Sequence, residues 1–491
     1  MHQVWEAGGG IAGVPSRANL PVPVLSLLQG SQATTADTES GQTKFQALKQ
    51  LRNVVKHNAE LHSLRTDFLY KLETARVFRG HEFYLPHNVD FRGRAYPMPI
   101  HLHHLGSDVC RGLLRFAEKK PLQVRGLFWL KVHLANLFGK NKMNFDGRVQ
   151  WTESHKDNIM SAASDPLGPA KAWWLDADEP WQALAVCFEL AEVPALSPGA
   201  GNCPLRCITL LQAYRSPCPE DYMTGIPVHM DGSCNGLQHY AALGRDVAGA
   251  AEVNLINADQ PSDPYRSVAE RLQVIMDGMS RDDSNPQQQQ LAKFLTSRIG
   301  RKVVKQTVMT SVYGVTFIGA RAQIHRQLVD LTRGEPNVSE DLLFKCSGLL
   351  ARETLNALAQ TFSGAKAVMT WLARVASFVA KKTGKPITWV TPLGLPVLQP
   401  YRSSGSYQVK TCLQHVVLAR DTDHLPVNSR KQSTAFAPNF IHSIDSTHLL
   451  MTATDCAARG LTFAGFARAA VRARVPFLFS APTRACRRRA R

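Results

Sequence analysis

Acidic residues are scarce in this sequence: 39 Asp and Glu stand against 57 Lys and Arg in 491 residues, a formal net charge of +18. That surplus favours a polyanionic partner, either nucleic acid or an acidic membrane face. Eight of the surplus charges are arginines from Ala464 onward, where no acid occurs, so the body stays basic without them. No uninterrupted apolar run reaches about 18 residues, and a membrane span is not expected. Zinc-type cysteine spacing is also missing. The ten cysteines form no CxxC pair, and Cys203 and Cys207 are followed by no second pair of Cys or His at a zinc-like interval. They are expected to be reduced, small apolar fillers. With 44% hydrophobic and 20% charged residues, general disorder and rod-like repeats are excluded. The length fits about two to four domains.

Residues 1–43 are rich in Gly, Ala, Ser, Thr and Pro, with Arg17 as their single arginine. They are expected to be largely disordered, and they lack the arginine-rich, amphipathic character of a mitochondrial transit peptide. From Lys44 to Val77 the apolar spacing predicts a long helix or a helical pair. Apolar clusters alternate with Pro and Gly breaks between Phe83 and Leu190, where Trp173, Trp174 and Trp181 read as core anchors. Residues 195–222 read as loop. Helices are expected from Ala250 to about Lys382, interrupted by a polar surface turn at DDSNPQQQQ. A strand-and-turn patch follows at ITWVTPLGLPVLQPY. No internal repeat is evident.

Four segments carry candidate chemistry. IPVHMDGSCNGLQHYAAL (226–243) reads as a short buried strand ending at Asp231, a Gly-Ser turn and a helix. A carboxylate at a strand end suits a divalent cation held against phosphates, and equally suits a helix cap. In SRIGRKVVKQTVMTSVYGVT (297–316), Arg301, Lys305, Met309 and Tyr313 recur every fourth residue and form one slowly winding helical stripe. Two cations followed by Met and Tyr fit the phosphate and base-and-sugar ends of a nucleotide, or else a solvated basic face. HNVDFRGRAYP (87–97) sets Gly93 between Arg92 and Arg94, either a close approach to a sugar-phosphate chain or an ordinary basic turn. In FAPNFIHSIDSTHLLMTA (436–453), Pro438 and Asn439 are expected to open a helix carrying His442, Asp445 and His448.

DFRGR, DGSCNGLQHYAAL, RKVVKQTVMTSVYG and APNFIHSIDSTH occur in this order. Together they resemble the bacteriophage-type single-subunit RNA polymerases, most closely the mitochondrial type, over about residues 45–463. The resemblance implies an α+β, mostly helical, right-hand polymerase: a helical segment 44–80 leading from thumb to palm, palm 81–250, fingers 251–442 and a palm return 443–463, before an arginine-rich tail 464–491. It implies that Asp231 and Gly232 hold Mg²⁺, and that Asp231 and Lys305 are catalytic. Arg301, Met309, Tyr313, Gly314 and His442 would bind the nucleotide, and Arg92, Gly93 and Arg94 the template or hybrid. Gly236 stands where related DNA polymerases place a Glu against the 2′-hydroxyl, which leaves the gate open to ribonucleotides. The implied partners are a DNA template, an RNA-DNA hybrid, ribonucleoside triphosphates and mitochondrial transcription factors, in a mitochondrial setting.

The sequence departs from the family pattern in four respects. The second metal aspartate is expected in a His-Asp pair soon after RGLTF (459–463), and no His-Asp dipeptide occurs anywhere; Asp445 and Asp455 do not match it. Residues 464–491 do not resemble the family's terminal palm, which is therefore read as incomplete. Residues 198–216 read as an insertion, and the family's promoter-binding region and most of its thumb have no counterpart. The expectation is a polymerase with impaired catalysis, the alternative being a non-catalytic chain that binds nucleic acid.

Overall fold

The computed structural model describes residues 1–21, 38–168, 171–192, 222–229, 232–258, 260–283, 285–333, 335, 338–403, 406–411, 414–419 and 425–459. The described residues are mostly helical, with small two-stranded sheets. The chain divides into two compact units, one of Met1–Asn88 with Pro97–His229, the other of Val89–Tyr96 with Met230–Arg491. The expected insertion at 198–216, most of the expected 195–222 loop and the 464–491 tail lie outside the described residues. No helix among the described residues is long and apolar enough to cross a membrane.

In the first unit, the 44–77 periodicity becomes one helix, Thr38–Val77. The expectation of disorder at the start of the chain fails over residues 1–21 and again at 38–43, which begin the Thr38–Val77 helix. His2–Glu6 is helical, Val4 and Val14 are buried, and the Trp5 ring lies 5.5 Å from Phe68. Burial of these apolar side chains outweighs the turn-rich composition around them. The tryptophans behave as anchors: Trp174 and Trp181 are buried with ring centroids 5.3 Å apart, and their indole N–H groups donate to Pro166 and Ala12 carbonyls. Leu130, Leu134, Ile159 and Leu190 fill a second cluster. The strand expected to end at Asp231 is not formed over 226–229; the pairing is instead Met223–Thr224 against Lys120–Pro121.

A histidine in this unit makes it sensitive to acid. His133 is 2% exposed, and burial, with His229 and Arg111 nearby, pushes its pKa from 6.5 down to about 3. The folded state thus keeps the ring neutral while the unfolded chain protonates it below 6.5. Stability from this group is complete above that pH and falls as pH drops toward the folded value, by at most about 1.4 kcal/mol per pH unit. Urea midpoints should therefore decline between pH 7.5 and 5, and less steeply in His133→Leu; equal slopes would remove His133 as the cause.

In the second unit, helices pack around one apolar core that includes Leu272, Met276, Leu295, Val304, Val308, Ile324, Leu328 and Leu350. Asp263 and Asn285 each cap a helix whose first residue is proline, starting Pro264–Arg281 and Pro286–Thr296. The glutamines of DDSNPQQQQ consequently lie in a helix, outside the expected turn. The Thr388–Val390 and Pro396–Leu398 strands pair antiparallel, as their β-branched residues and intervening Pro-Leu-Gly predict. The last described helix is Ser429–Ala458. It does not open at Pro438: Asn428 caps it, and Pro438 sits inside it. The lost bond to Thr434 is tolerated because buried side chains fix the helix from outside. Gln432 and Gln399 exchange hydrogen bonds, and Asn439 donates to Gln399 and to the Tyr401 hydroxyl.

The five described cysteines that are buried, Cys110, Cys187, Cys234, Cys346 and Cys456, are all free thiols. Cys203, Cys207, Cys218, Cys412 and Cys486 lie outside the described residues.

Candidate functional site

The site is built from the second unit alone. Val303, Val304, Thr307 and Val308 bury one side of the Arg301–Ser311 helix, which turns Lys305 and Met309 outward. This is the stripe that the four-residue spacing predicts, with one change. Tyr313 and Gly314 lie beyond the helix end, and Gly314 takes the left-handed φ of +78° that glycine allows. Its Cα hydrogens face the Thr434 carbonyl and Pro438, where an added Cβ would lie 3.6 and 3.8 Å away. Arg301 is not a free cation, because its Nε donates to Asp263 at 2.7 Å. Lys305 makes no ion pair among the described residues.

The 89–96 segment folds as a tight turn around Asp90. Its Oδ1 accepts from the backbone N–H of both Arg92 and Arg94, at 3.0 Å each, and its Oδ2 accepts from the Arg92 side chain. Gly93 has φ +102°, with Leu395 and Ser446 against it, so its conformational freedom serves the turn and its packing. The Ser446 hydroxyl donates to the Gly93 carbonyl. Arg92 Nη1 lies 2.6 Å from His442 Nδ1, and Arg94 forms a two-pronged pair with Asp445. The two arginines therefore pin the turn to the Ser429–Ala458 helix. Template or hybrid contact would have to use what remains of two guanidinium groups already held by the protein.

The Tyr313 and His442 rings meet at 4.7 Å. Burial raises the Tyr313 pKa, with Arg94 opposing, and the hydroxyl is kept protonated as a donor at neutral pH. Burial likewise raises the Asp445 pKa, while Arg94 pulls it down. The charged form of Arg94 is favoured despite burial because Asp445 faces it. Arg92, Gly93, Arg94, Tyr313, Gly314 and His442 are thus brought together, although the sequence separates Arg92 from His442 by 350 positions.

Asp231 lies outside the described residues, and Gly232 is described just before the Asn235–Gly244 helix. Asp445 is taken by Arg94, and Asp455 by Arg459. Among the described residues, no three His, Cys, Asp or Glu side chains converge as metal ligands.

Gly236 is buried rather than facing an open gap. A Cβ there would lie 2.7 Å from Val312 Cγ2 and 3.0 Å from its Cβ. The missing side chain is what lets the Asn235–Gly244 helix close on Val312, beside Tyr313. Because Val312 is β-branched and stiff, Gly236→Ala should cost about 1–3 kcal/mol of stability by overpacking. Adding Val312→Ala should recover part of it, read from urea midpoints of the two single variants and the pair. An additive double variant would show that the contact is not the cause.

Residues that the sequence reading passed over are Asp90, Asp263 and Asn254. Asp90 had a signal: an Asp two positions before one residue and four before another is a turn-forming acceptor.

A sequence profile for DNA-dependent RNA polymerase matches residues 120–201 and 202–466. The chain belongs to that family. Among its polymerase relatives, DNA-directed RNA polymerase 2, chloroplastic/mitochondrial, of Nicotiana sylvestris is 45% identical over 470 residues, covering 95% of this chain and 42% of the relative. DNA-directed RNA polymerase 1, mitochondrial, of Arabidopsis thaliana is 44% identical over 470 residues, covering 95% and 44%. DNA-directed RNA polymerase 3, chloroplastic, of Nicotiana sylvestris is 44% identical over the same length, with the same coverage. The chain spans less than half the length of these polymerases.

Proposed function

We propose that this chain carries the nucleotide-selecting and phosphate-binding part of a DNA-directed RNA polymerase that joins ribonucleoside triphosphates on a DNA template. The observation that supports this most is the grouping of Tyr313, His442 and Arg92 at one end of the helix whose outward side carries Lys305 and Arg301. Lys305 and the terminal nitrogens of Arg301 would meet the triphosphate, where negative charge grows in the transition state. Tyr313, held protonated, would read the ribose 2′-hydroxyl, with Met309 and Gly314 along the sugar and base, and His442 behind the tyrosine ring. Arg92, Gly93 and Arg94 would present the 89–96 turn to the template or the RNA-DNA hybrid.

In this reading, residues 81–250 with 443–463 are the palm and 251–442 the fingers of a right-hand polymerase. Asp231 and Gly232 would hold Mg²⁺, which supplies Lewis-acid activation in this chemistry. With no His-Asp dipeptide in the chain, extension by this chain alone is proposed to be slow. The relatives' names divide between mitochondrion and chloroplast, so the setting is proposed as an organelle, the mitochondrion first, with transcription factors as further partners.

The test is extension of an RNA primer on a DNA template, run with the chain and with Asp231→Asn and Lys305→Ala. Slow extension that both changes abolish supports the reading. Extension untouched by either would overturn the assigned roles. Salt-sensitive hybrid binding with no extension at all would leave a nucleic-acid-binding chain.

A further inference from the structure

Arg301 is held by one nitrogen only. Its Nε donates to Asp263 Oδ2 at 2.7 Å, while Nη1 and Nη2 bond no described residue. The side chain is 37% exposed and that of Asp263 7%, so the anchor is buried and the fork is not. Below the guanidinium lies the Tyr265 ring, 5.4 Å from Arg301 Cζ to the ring centroid. The Tyr265 hydroxyl donates to the Ser233 carbonyl at 3.2 Å.

Asp263 is itself fixed from two sides. Its Oδ1 accepts from the Tyr265 N–H and caps the Pro264–Arg281 helix. The residue before it, Ser262, donates its N–H to Asn254 Oδ1 at 2.7 Å, and Asn254 Nδ2 reaches both the Ser262 carbonyl and Ser233 Oγ. Asn254 does this from a left-handed backbone, φ +60°, which asparagine tolerates better than most residues. A local network thus ties the turn after Gly232 to the first residue of the helix bearing Lys305.

We propose that Asp263 is a positioning residue for Arg301: by taking the Nε–H it aims Nη1 and Nη2 as a fork at the phosphates of an incoming nucleoside triphosphate. The inference rests on the reading of Arg301 as a phosphate ligand. Arginine binds phosphate through paired N–H groups in a fixed plane, and its long side chain has rotamer freedom to lose. An internal carboxylate at Nε removes that freedom before the ligand arrives, and it leaves the paired edge unused. Asp263 touches no phosphate itself.

Asp263→Asn separates this role from capping. Asn caps helices as well as Asp does, so Oδ1 stays on the Tyr265 N–H, and an amide N–H₂ then faces the Arg301 Nε–H, donor against donor. The experiment is equilibrium binding of GTP and of GMP, each with Mg²⁺, to the full chain and to Asp263→Asn, Asp263→Glu, Arg301→Ala, Lys305→Ala and the Asp263→Asn/Arg301→Ala pair. Unfolding midpoints are measured alongside.

The expected result is a loss of GTP affinity of about tenfold in Asp263→Asn, with GMP affinity unchanged. Asp263→Glu should recover part of the loss, and Asp263→Asn should add nothing once Arg301 is alanine. Unchanged or tighter GTP binding in Asp263→Asn would overturn the proposal, as would a loss that persists without Arg301 or that GMP shares. If neither Arg301→Ala nor Lys305→Ala weakens GTP, or the unaltered chain binds none, the phosphate-site reading itself fails, and the proposal with it.

Discussion

Asp445→Ala is expected to destabilise the second unit by about 3–5 kcal/mol, the range for breaking a buried ion pair from one side. The Asp445 side chain is 1% exposed and that of Arg94 16%, and the two meet through both carboxylate oxygens. Removing the carboxylate leaves a guanidinium that cannot shed its proton and has little water to turn to. The effect should spread to the site, because Arg94 shares the turn with Gly93, whose carbonyl takes the Ser446 hydroxyl one residue along the helix. The control is the pair Arg94→Leu with Asp445→Leu, which removes both charges and should unfold much closer to the unaltered chain. Urea unfolding followed by circular dichroism reads all three. A single variant no less stable than the pair would show that the ion pair contributes little here.

Lys305→Ala is expected to lower the rate of RNA extension by about 10²–10³, the usual cost of deleting one group that stabilises developing charge. Because Lys305 is exposed and without an ion pair among the described residues, its removal should leave the unfolding midpoint within about 0.5 kcal/mol. The combination matters: a large kinetic effect with no stability effect separates a chemical role from a structural one. Lys305→Arg, which keeps the charge but spreads it over a planar fork, should retain part of the activity. Equal extension by Lys305→Ala and the unaltered chain would remove this residue from the chemistry.

Much of this was legible in the residues themselves. The four-residue spacing of Arg301, Lys305 and Met309 fixed an outward helical stripe because valines and a threonine fill the opposite side, and helical periodicity is a local property. The order of the four long motifs was enough to identify the family. The tryptophan anchors and the 388–398 hairpin also followed from local pattern.

Other features depended on residues far apart in the chain. What packs against the two glycines is set by distant residues: Ser446 and Leu395 lie against Gly93, and Val312 against Gly236. Pro438 read as a helix start, but Asn428 had already begun that helix. Residues 1–21 read as disordered until Phe68 supplied a surface for Trp5. Arg94 and Arg301 find their acidic partners across the fold, in Asp445 and Asp263, whereas Arg92 pairs with Asp90 inside its own turn. The family and the helices follow from residues close together in the chain, because propensity and periodicity act over a few positions. Which of Arg94 and Arg301 are spent internally, and which glycines are filled, depends on contacts across the fold, because a hydrogen bond or a steric contact is set by distance in space, and Asp445 lies 351 positions from Arg94.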